Sequence, residues 1–186
     1  MSQQSVYLDY AAATPLDPEV LKVMQPFLEG NFYNPSAGYL KGRLVRKEIN
    51  NARARVAHWL GSKPTEIIFN AGVTESTNQA IIGVMNKHKQ AKVLVGATEH
   101  EAVFEPAKLY NHELISVHPD GRINLEDLQA KISDEVVLVS LMHANNETGV
   151  IHPLKEVAQV IKQAKIDRQD RGVELPLLLH TDAAQT

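Results

Sequence analysis

The sequence predicts an α/β protein: a mostly parallel sheet with helices on both faces. Three observations carry this. Apolar runs of strand length, at residues 66–69, 93–95, 114–117, 136–141 and 177–182, alternate with segments of helical period. The run at 136–141 is too evenly apolar for a strand with one wet face, so it belongs inside a parallel sheet reached by right-handed crossovers. Polar clusters follow the runs rather than interrupting them, and ligands of open parallel sheets bind beyond the carboxyl ends of the strands.

In order, Val6 begins a short extended piece, and residues 9–15 turn away from it. Asp17 caps a helix with Pro18 at its first position, and Val20, Met24, Phe27 and Leu28 share a face that Pro26 should kink or shorten. A new segment starts at Asn34, Pro35 and Ser36. Leu40, Leu44, Val45, Ile49, Ala52, Val56, Trp59 and Leu60 then recur at helical spacing up to Gly61. Helices are expected at 74–87, 103–110 and 153–165, the last with Val157, Val160, Ile161 and Ala164 inward. Asn124 caps another that runs to Ile132. Pro119, Asp120 and Gly121 close the 114–117 strand as a turn. Residues 167–172 read as a surface loop. Leu177, Leu178 and Leu179 read as a buried strand that delivers His180, Asp182 and Gln185 into a crevice. The chain carries no internal repeat, low-complexity stretch or linker.

The 186 residues suffice for one domain with a real core. At 44% hydrophobic and 22% charged, the composition is that of a globular protein rather than a disordered one. A net charge of −3, with signs mixed along the chain, gives no nucleic-acid footprint and no membrane-binding tail. No apolar run approaches the roughly 20 residues that cross a bilayer. Residues 1–5 lack the basic region and apolar core of a secretion signal, so a cytoplasmic location is expected. With no cysteine, these residues supply no disulfide, thiolate metal site or thiol nucleophile.

Four polar clusters follow four of the expected strands: residues 70–76, 98–100, 143–147 and 180–185. Between strand and helix, Gly72 allows a sharp turn. The first helical amides, with the Thr74 and Ser76 hydroxyls, would make a phosphate-sized anion site, unless Thr74 merely caps the helix. His100, flanked by two acids, suits a base, a metal ligand or a flat ring on a planar ligand, or is a histidine satisfied by Glu99 or backbone. Asn145 and Asn146 can donate to a carboxylate or simply form a turn. Asp182 ends an apolar strand, which is costly without a cation or a strong donor. Its partner is a metal shared with His180 and His100, a protonated heteroaromatic nitrogen such as a pyridinium, or the amides of the next turn.

Taken together, these clusters resemble the pyridoxal-phosphate enzymes of the aminotransferase class V group, most closely the cysteine desulfurases. The resemblance runs from Tyr7 to Gln185. Residues 7–15 match the N-terminal signature and 34–36 the substrate-side loop. Residues 72–78 are similar to the phosphate loop, 98–100 to the ring-stacking segment, 145–149 to the substrate-carboxylate segment and 180–185 to the cofactor strand. The resemblance implies that Thr74 binds the cofactor phosphate and that His100 stacks on the ring and assists proton transfer. It implies that Asp182 pairs with the ring nitrogen, Gln185 donates to the phenolic oxygen and Asn146 holds the amino-acid carboxylate, with no metal. It also implies the truncated large domain of a fold-type-I enzyme: an arm at 1–16 and a cofactor-binding α/β domain at 17–186, incomplete at its C-terminal end.

Asn70 and Val73 replace the small or hydroxylated residues usual in the phosphate loop, and Gly38 and Tyr39 stand near where many relatives carry a histidine. The family's covalent cofactor lysine, sulfur-accepting cysteine and substrate arginine all lie later than Thr186. The expectation is therefore the front part of a desulfurase that converts L-cysteine to L-alanine and passes sulfur to an acceptor protein, as in iron–sulfur cluster assembly. The complete protein is expected to be a homodimer, and this piece is expected to be inactive alone and to expose uncovered apolar faces. The alternatives are a non-catalytic scaffold relative, or part of a selenocysteine lyase or another class V aminotransferase.

Overall fold

A computed structural model describes residues 6–186, which divide into two compact units, one running up to Phe69 and the other Asn70–Thr186.

The first unit holds α1 (Pro18–Glu29), α2 (Leu40–Trp59) and a 3-10 turn, Pro64–Glu66. The Asp17 side chain accepts the Glu19 amide at 2.7 Å, the expected cap. Pro26 does not break α1; the helix runs one turn further, and the Pro26 carbonyl accepts the amides of Gly30 and Asn31. The shared apolar face of α1 is not covered: Val20, Met24, Phe27 and Leu28 are all exposed. On α2, Gly42 is buried because a Cβ there would stand 2.7 Å from the Asn34 carbonyl, so glycine lets the 34–37 turn lie against the helix. Asn34 Oδ1 accepts the Ser36 amide at 2.8 Å, and Arg46 Nε donates to the Pro35 carbonyl at 2.6 Å, which fixes that turn.

The strand expected at 66–69 does not form. Arg53 of α2 donates to the Ile67 carbonyl, and its guanidinium lies 4.9 Å from the Phe69 ring centre. A side chain holds this stretch, and no ladder does.

The second unit contains α3 (Val73–Lys87), β1 (Lys92–Gly96), α4 (Glu101–Lys108), β2 (His112–Ile115), α5 (Leu125–Lys131), β3 (Val136–Ser140), α6 (Leu154–Asp170) and β4 (Leu178–His180). All four strands are parallel, in the order β2-β1-β3-β4, so their carboxyl ends share one rim. Ile81, Met85, Val93, Val95, Val103 and Ala107 form the core on the α3 and α4 face, while Leu94, Leu128, Val139, Val157 and Ile161 form it on the α5 and α6 face. A register shift between Lys92 and Val93 sets Val136 opposite Lys92 and Leu138 opposite Val93. The extra residue, Val137, therefore joins Leu138 in the α3 and α4 core.

Three further expectations shift. The strand predicted at 114–117 sits at His112–Ile115, and Val117 instead bridges to Ile123 across the turn where Gly121 takes φ 84°. Residues 167–172 are mostly helix: α6 continues to Asp170 because Arg168 lies on the inward face, buried, donating to the Ser133 and Val136 carbonyls. Of the three leucines, Leu177 is buried but Leu178 is exposed, because β4 is an edge strand.

Candidate functional site

Three strand tips meet on the rim of the second unit. Beyond β1 come Thr98, Glu99 and His100; beyond β3, Met142 to Glu147; beyond β4, Asp182 to Thr186. The first expected cluster does not follow a strand, because residues 66–69 form none. It begins α3, whose Thr77 hydroxyl donates to the Ala102 carbonyl at 3.0 Å, bringing the first turns of α3 and α4 side by side.

Asp182 is buried, and its Oδ1 accepts the Ala184 amide at 3.0 Å. The turn-capping role foreseen for it is thus filled by one oxygen. The other makes no hydrogen bond and no ion pair among the described residues. A carboxylate held this way at a strand tip can accept from one more strong donor. The Asp182 carbonyl also accepts the His143 amide at 2.8 Å, which splices the β4 tip to the β3 tip. One residue pair earlier, Ser140 Oγ stands 2.8 Å from His180 Nδ1. Burial pulls the His180 ring below its usual pKa and the Asp182 charge opposes this, so a neutral imidazole faces Ser140.

His100 is the N-cap of α4: its Nδ1 accepts the Ala102 amide at 3.1 Å while the ring stays exposed. That bond places the proton of the neutral ring on Nε2. His100 therefore caps backbone, the bland alternative, and still presents a fixed, open ring to a planar ligand.

Thr74 does not cap α3. Gly72 holds that position with extended backbone and no side-chain bond, and the Thr74 hydroxyl is exposed and unpaired among the described residues. A Cβ on Gly72 would meet nothing within 4 Å, so the approach to the first α3 amides is open. Glu75 reaches back to the Ala71 amide at 2.6 Å, and Asn70 is engaged by Ser76 and Gln79. A helix start with free amides and a free hydroxyl can hold an anion.

Asn145 and Asn146 separate in role. Asn145 donates to the Thr98 carbonyl at 2.9 Å and accepts the Glu147 and Thr148 amides at 3.0 and 2.8 Å. Asn146 is half-buried, and its side chain makes no hydrogen bond among the described residues. Gln185 is exposed on the turn after Asp182.

Glu99 is the residue sequence reasoning passed over. It is 7% exposed, its Oε1 accepts the Met142 amide at 2.5 Å, and its Oε2 is buried without a hydrogen-bond partner among the described residues. Burial, with the Asp182 charge, pushes its pKa up to about 8 against the Met142 hydrogen bond that lowers it. An acid placed three residues after a buried strand was the available signal.

Residues 6–186 match the family described as aminotransferase class-V. The chain belongs to the aminotransferase class-V family. It is 38% identical over 191 residues to the cysteine desulfurase IscS of Dictyoglomus turgidum, covering 99% of this chain and 46% of that protein. A solved structure named NifS-like protein superposes with a TM-score of 0.90 at 30% identity, covering 98% of this chain and 50% of the other. Another, SspA in complex with cysteine, does so with 0.88 at 28%, covering 98% and 51%. The chain thus spans about half the length of these relatives. Its α/β architecture is the fold-type-I arrangement of the class V enzymes, a pyridoxal-phosphate-dependent family. For a class V chain, the rim holding Asp182, His100 and the α3 start offers an acceptor, an exposed ring and an anion cradle in one unit. These residues fit an anionic, planar, basic heterocycle. Among the described residues no cluster of three His, Cys, Asp or Glu could hold a metal, and no helix is long and apolar enough to cross a membrane.

Proposed function

We propose that this chain is the cofactor-side part of a cysteine desulfurase, binding pyridoxal phosphate at the rim of the parallel sheet. The reading is carried by Asp182: a buried carboxylate with one oxygen committed to a turn and the other free, beside no cation among the described residues. A protonated ring nitrogen is the partner that offsets this cost.

In this reading the free amides at the α3 start and the Thr74 hydroxyl bind the phosphate. The His100 ring, oriented by the Ala102 amide, covers one face of the pyridine and presents Nε2 for a proton transfer at the substrate carbon. Asp182 keeps the proton on the ring nitrogen, and Gln185 donates to the phenolic oxygen. Asn146, whose side chain makes no hydrogen bond among the described residues, donates its amide to the substrate carboxylate. When bound, the cofactor supplies an electron sink that stabilises negative charge on the amino acid. The substrate is L-cysteine, with L-alanine as product and an acceptor protein for the sulfur, and the complete enzyme is a homodimer. The identity to named cysteine desulfurases supports the choice within the family. Selenocysteine lyase and other class V chemistries remain the competitors that a substrate panel separates.

The test is equilibrium binding of pyridoxal phosphate to the 186-residue chain, with borohydride reduction and peptide mapping as a control for surface-lysine adducts. The expected binding to these 186 residues is reversible and not trapped at one lysine. Asp182→Asn should weaken it by roughly 10- to 100-fold, the worth of a hydrogen bond to a charged group. Equal affinity in wild type and variant would refute the assignment.

A further inference from the structure

Glu99 sits where the tips of β1, β3 and β4 converge, yet the roles proposed above leave it unused. Its Oε1 accepts the Met142 amide at the end of β3. Its carboxyl is wedged so closely that a Cβ on Gly96 would stand 2.9 Å from Oε1 and 2.9 Å from Leu141 Cδ2. Its Oε2 is sealed from solvent, and no ion pair reaches it among the described residues. An ionised carboxylate in that position would have one hydrogen bond, no countercharge and a second carboxylate nearby, a combination that burial makes costly.

We propose that Glu99 is a positioning residue of the site, the neutral acid that bolts the β1 tip to the β3 tip and leaves Asp182 as the single buried anion beneath the ligand. The bolt and the anion are linked through the chain: Met142 takes Glu99, and the next amide, His143, takes the Asp182 carbonyl at 2.8 Å. Protonation of Glu99 removes a like charge beside Asp182, so the Asp182 oxygen can face a cationic donor without competition from a second carboxylate. Of the titratable groups at these tips, namely His100, Glu101, His143, Glu147, His180 and Asp182, Asp182 is the one whose charge raises the Glu99 pKa. The pKa of Glu99, near 8 through burial first, agrees with a neutral acid. The consequence for the cofactor ring rests on the proposed function; the place of the proton does not.

The experiment is a pH titration of the cofactor-free 186-residue chain, labelled with carbon-13 at its carboxyl groups. One glutamate resonance, absent from Glu99→Gln, should titrate near pH 8, and its midpoint should move down in Asp182→Asn. The Met142 amide shift follows the same event, so the wild type alone supplies a second readout. Stability gives a third. A carboxyl whose folded pKa is raised contributes stability below its unfolded value and loses it as pH rises through the folded one. The melting temperature of Glu99→Gln should therefore gain on wild type from about pH 5 to pH 8 and level off above. A purely structural glutamate gives no such slope. A Glu99 resonance in the ordinary carboxylate range, a midpoint indifferent to Asp182→Asn, or Glu99→Gln losing as much stability as Glu99→Ala would each overturn the proposal. If wild type fails to bind pyridoxal phosphate while Glu99 titrates near pH 8, the proposed function falls and the proton placement stands.

Discussion

Asn145 Nδ2 stands 2.9 Å from the carbonyl oxygen of Thr98, tying the loop beyond β3 to the loop beyond β1 two residues before His100. The same side chain turns its Oδ1 back to its own loop, accepting the Glu147 and Thr148 amides. With the Glu99 side chain accepting the Met142 amide and the Asp182 main-chain carbonyl accepting the His143 amide, three loops are cross-braced through atoms that the proposed reading leaves off the ligand. This is how a rim built from loops is held to the precision a binding site needs.

The two neighbouring asparagines should therefore behave differently. Asn145→Ala strips the side-chain bonds to Thr98, Met142, Glu147 and Thr148 and should cost about 1–3 kcal/mol of unfolding free energy in denaturant titrations. Asn146→Ala should leave stability within about 0.5 kcal/mol and, in the complete protein, raise KM for the amino acid more than it lowers kcat. Equal destabilisation by both would contradict the division.

Gly96→Ala should be damaging despite its small size. The added methyl would press on Glu99 Oε1 and Leu141 Cδ2, each 2.9 Å away, and both are held by their surroundings. A loss of about 1–3 kcal/mol is expected for overpacking of this kind. Gly72→Ala, where a methyl meets nothing within 4 Å, serves as the control and should be far milder in thermal melts.

Arg168 should matter far more than a charge near a helix end ordinarily does. It is 3% exposed and donates to the Ser133 and Val136 carbonyls, so Arg168→Ala takes this donor from both and leaves Ser133 with only the Val136 amide. The expected cost is about 2–4 kcal/mol, against less than about 0.5 kcal/mol for Lys165→Ala on the exposed side of the same helix. Comparable melting temperatures for the two variants would refute this.

Acid should weaken the second unit through its histidines. Burial lowers the pKa of His152 and of His180 below 6.5. A base whose folded pKa is depressed contributes stability that is complete above the unfolded value and is lost as pH falls through the folded one. Wild type should therefore lose melting temperature relative to the His152→Gln, His180→Gln double variant as pH falls below about 6.5. An unchanged slope in the double variant would place the acid sensitivity elsewhere.

Hydrophobic periodicity and helix punctuation made most elements of the second unit readable in the sequence. The evenly apolar run at 136–141 became β3, the Asn124 cap opened α5, and the polar clusters after the strands marked the rim. Each of these signals is local, carried by neighbours three or four residues apart. The misreadings share the opposite property. Residues 66–69 have strand composition but no ladder partner, because Arg53 takes the Ile67 carbonyl. Arg168 looks like a loop residue until the carbonyls of Ser133 and Val136 stand beside it.

What the sequence determined by itself was the type of fold, the edge of the sheet where the polar clusters gather, and a set of motifs sufficient to recognise the family. What only the tertiary structure decided was how that edge is braced: which asparagine is committed, that His100 and Asp182 each spend one atom on backbone, and that Glu99 lies buried between Met142 and the Asp182 charge. The reason is physical. Periodicity is written in short-range spacing, whereas the protonation and pairing of a buried polar group depend on desolvation and on partners more than 40 residues away, which no local pattern records.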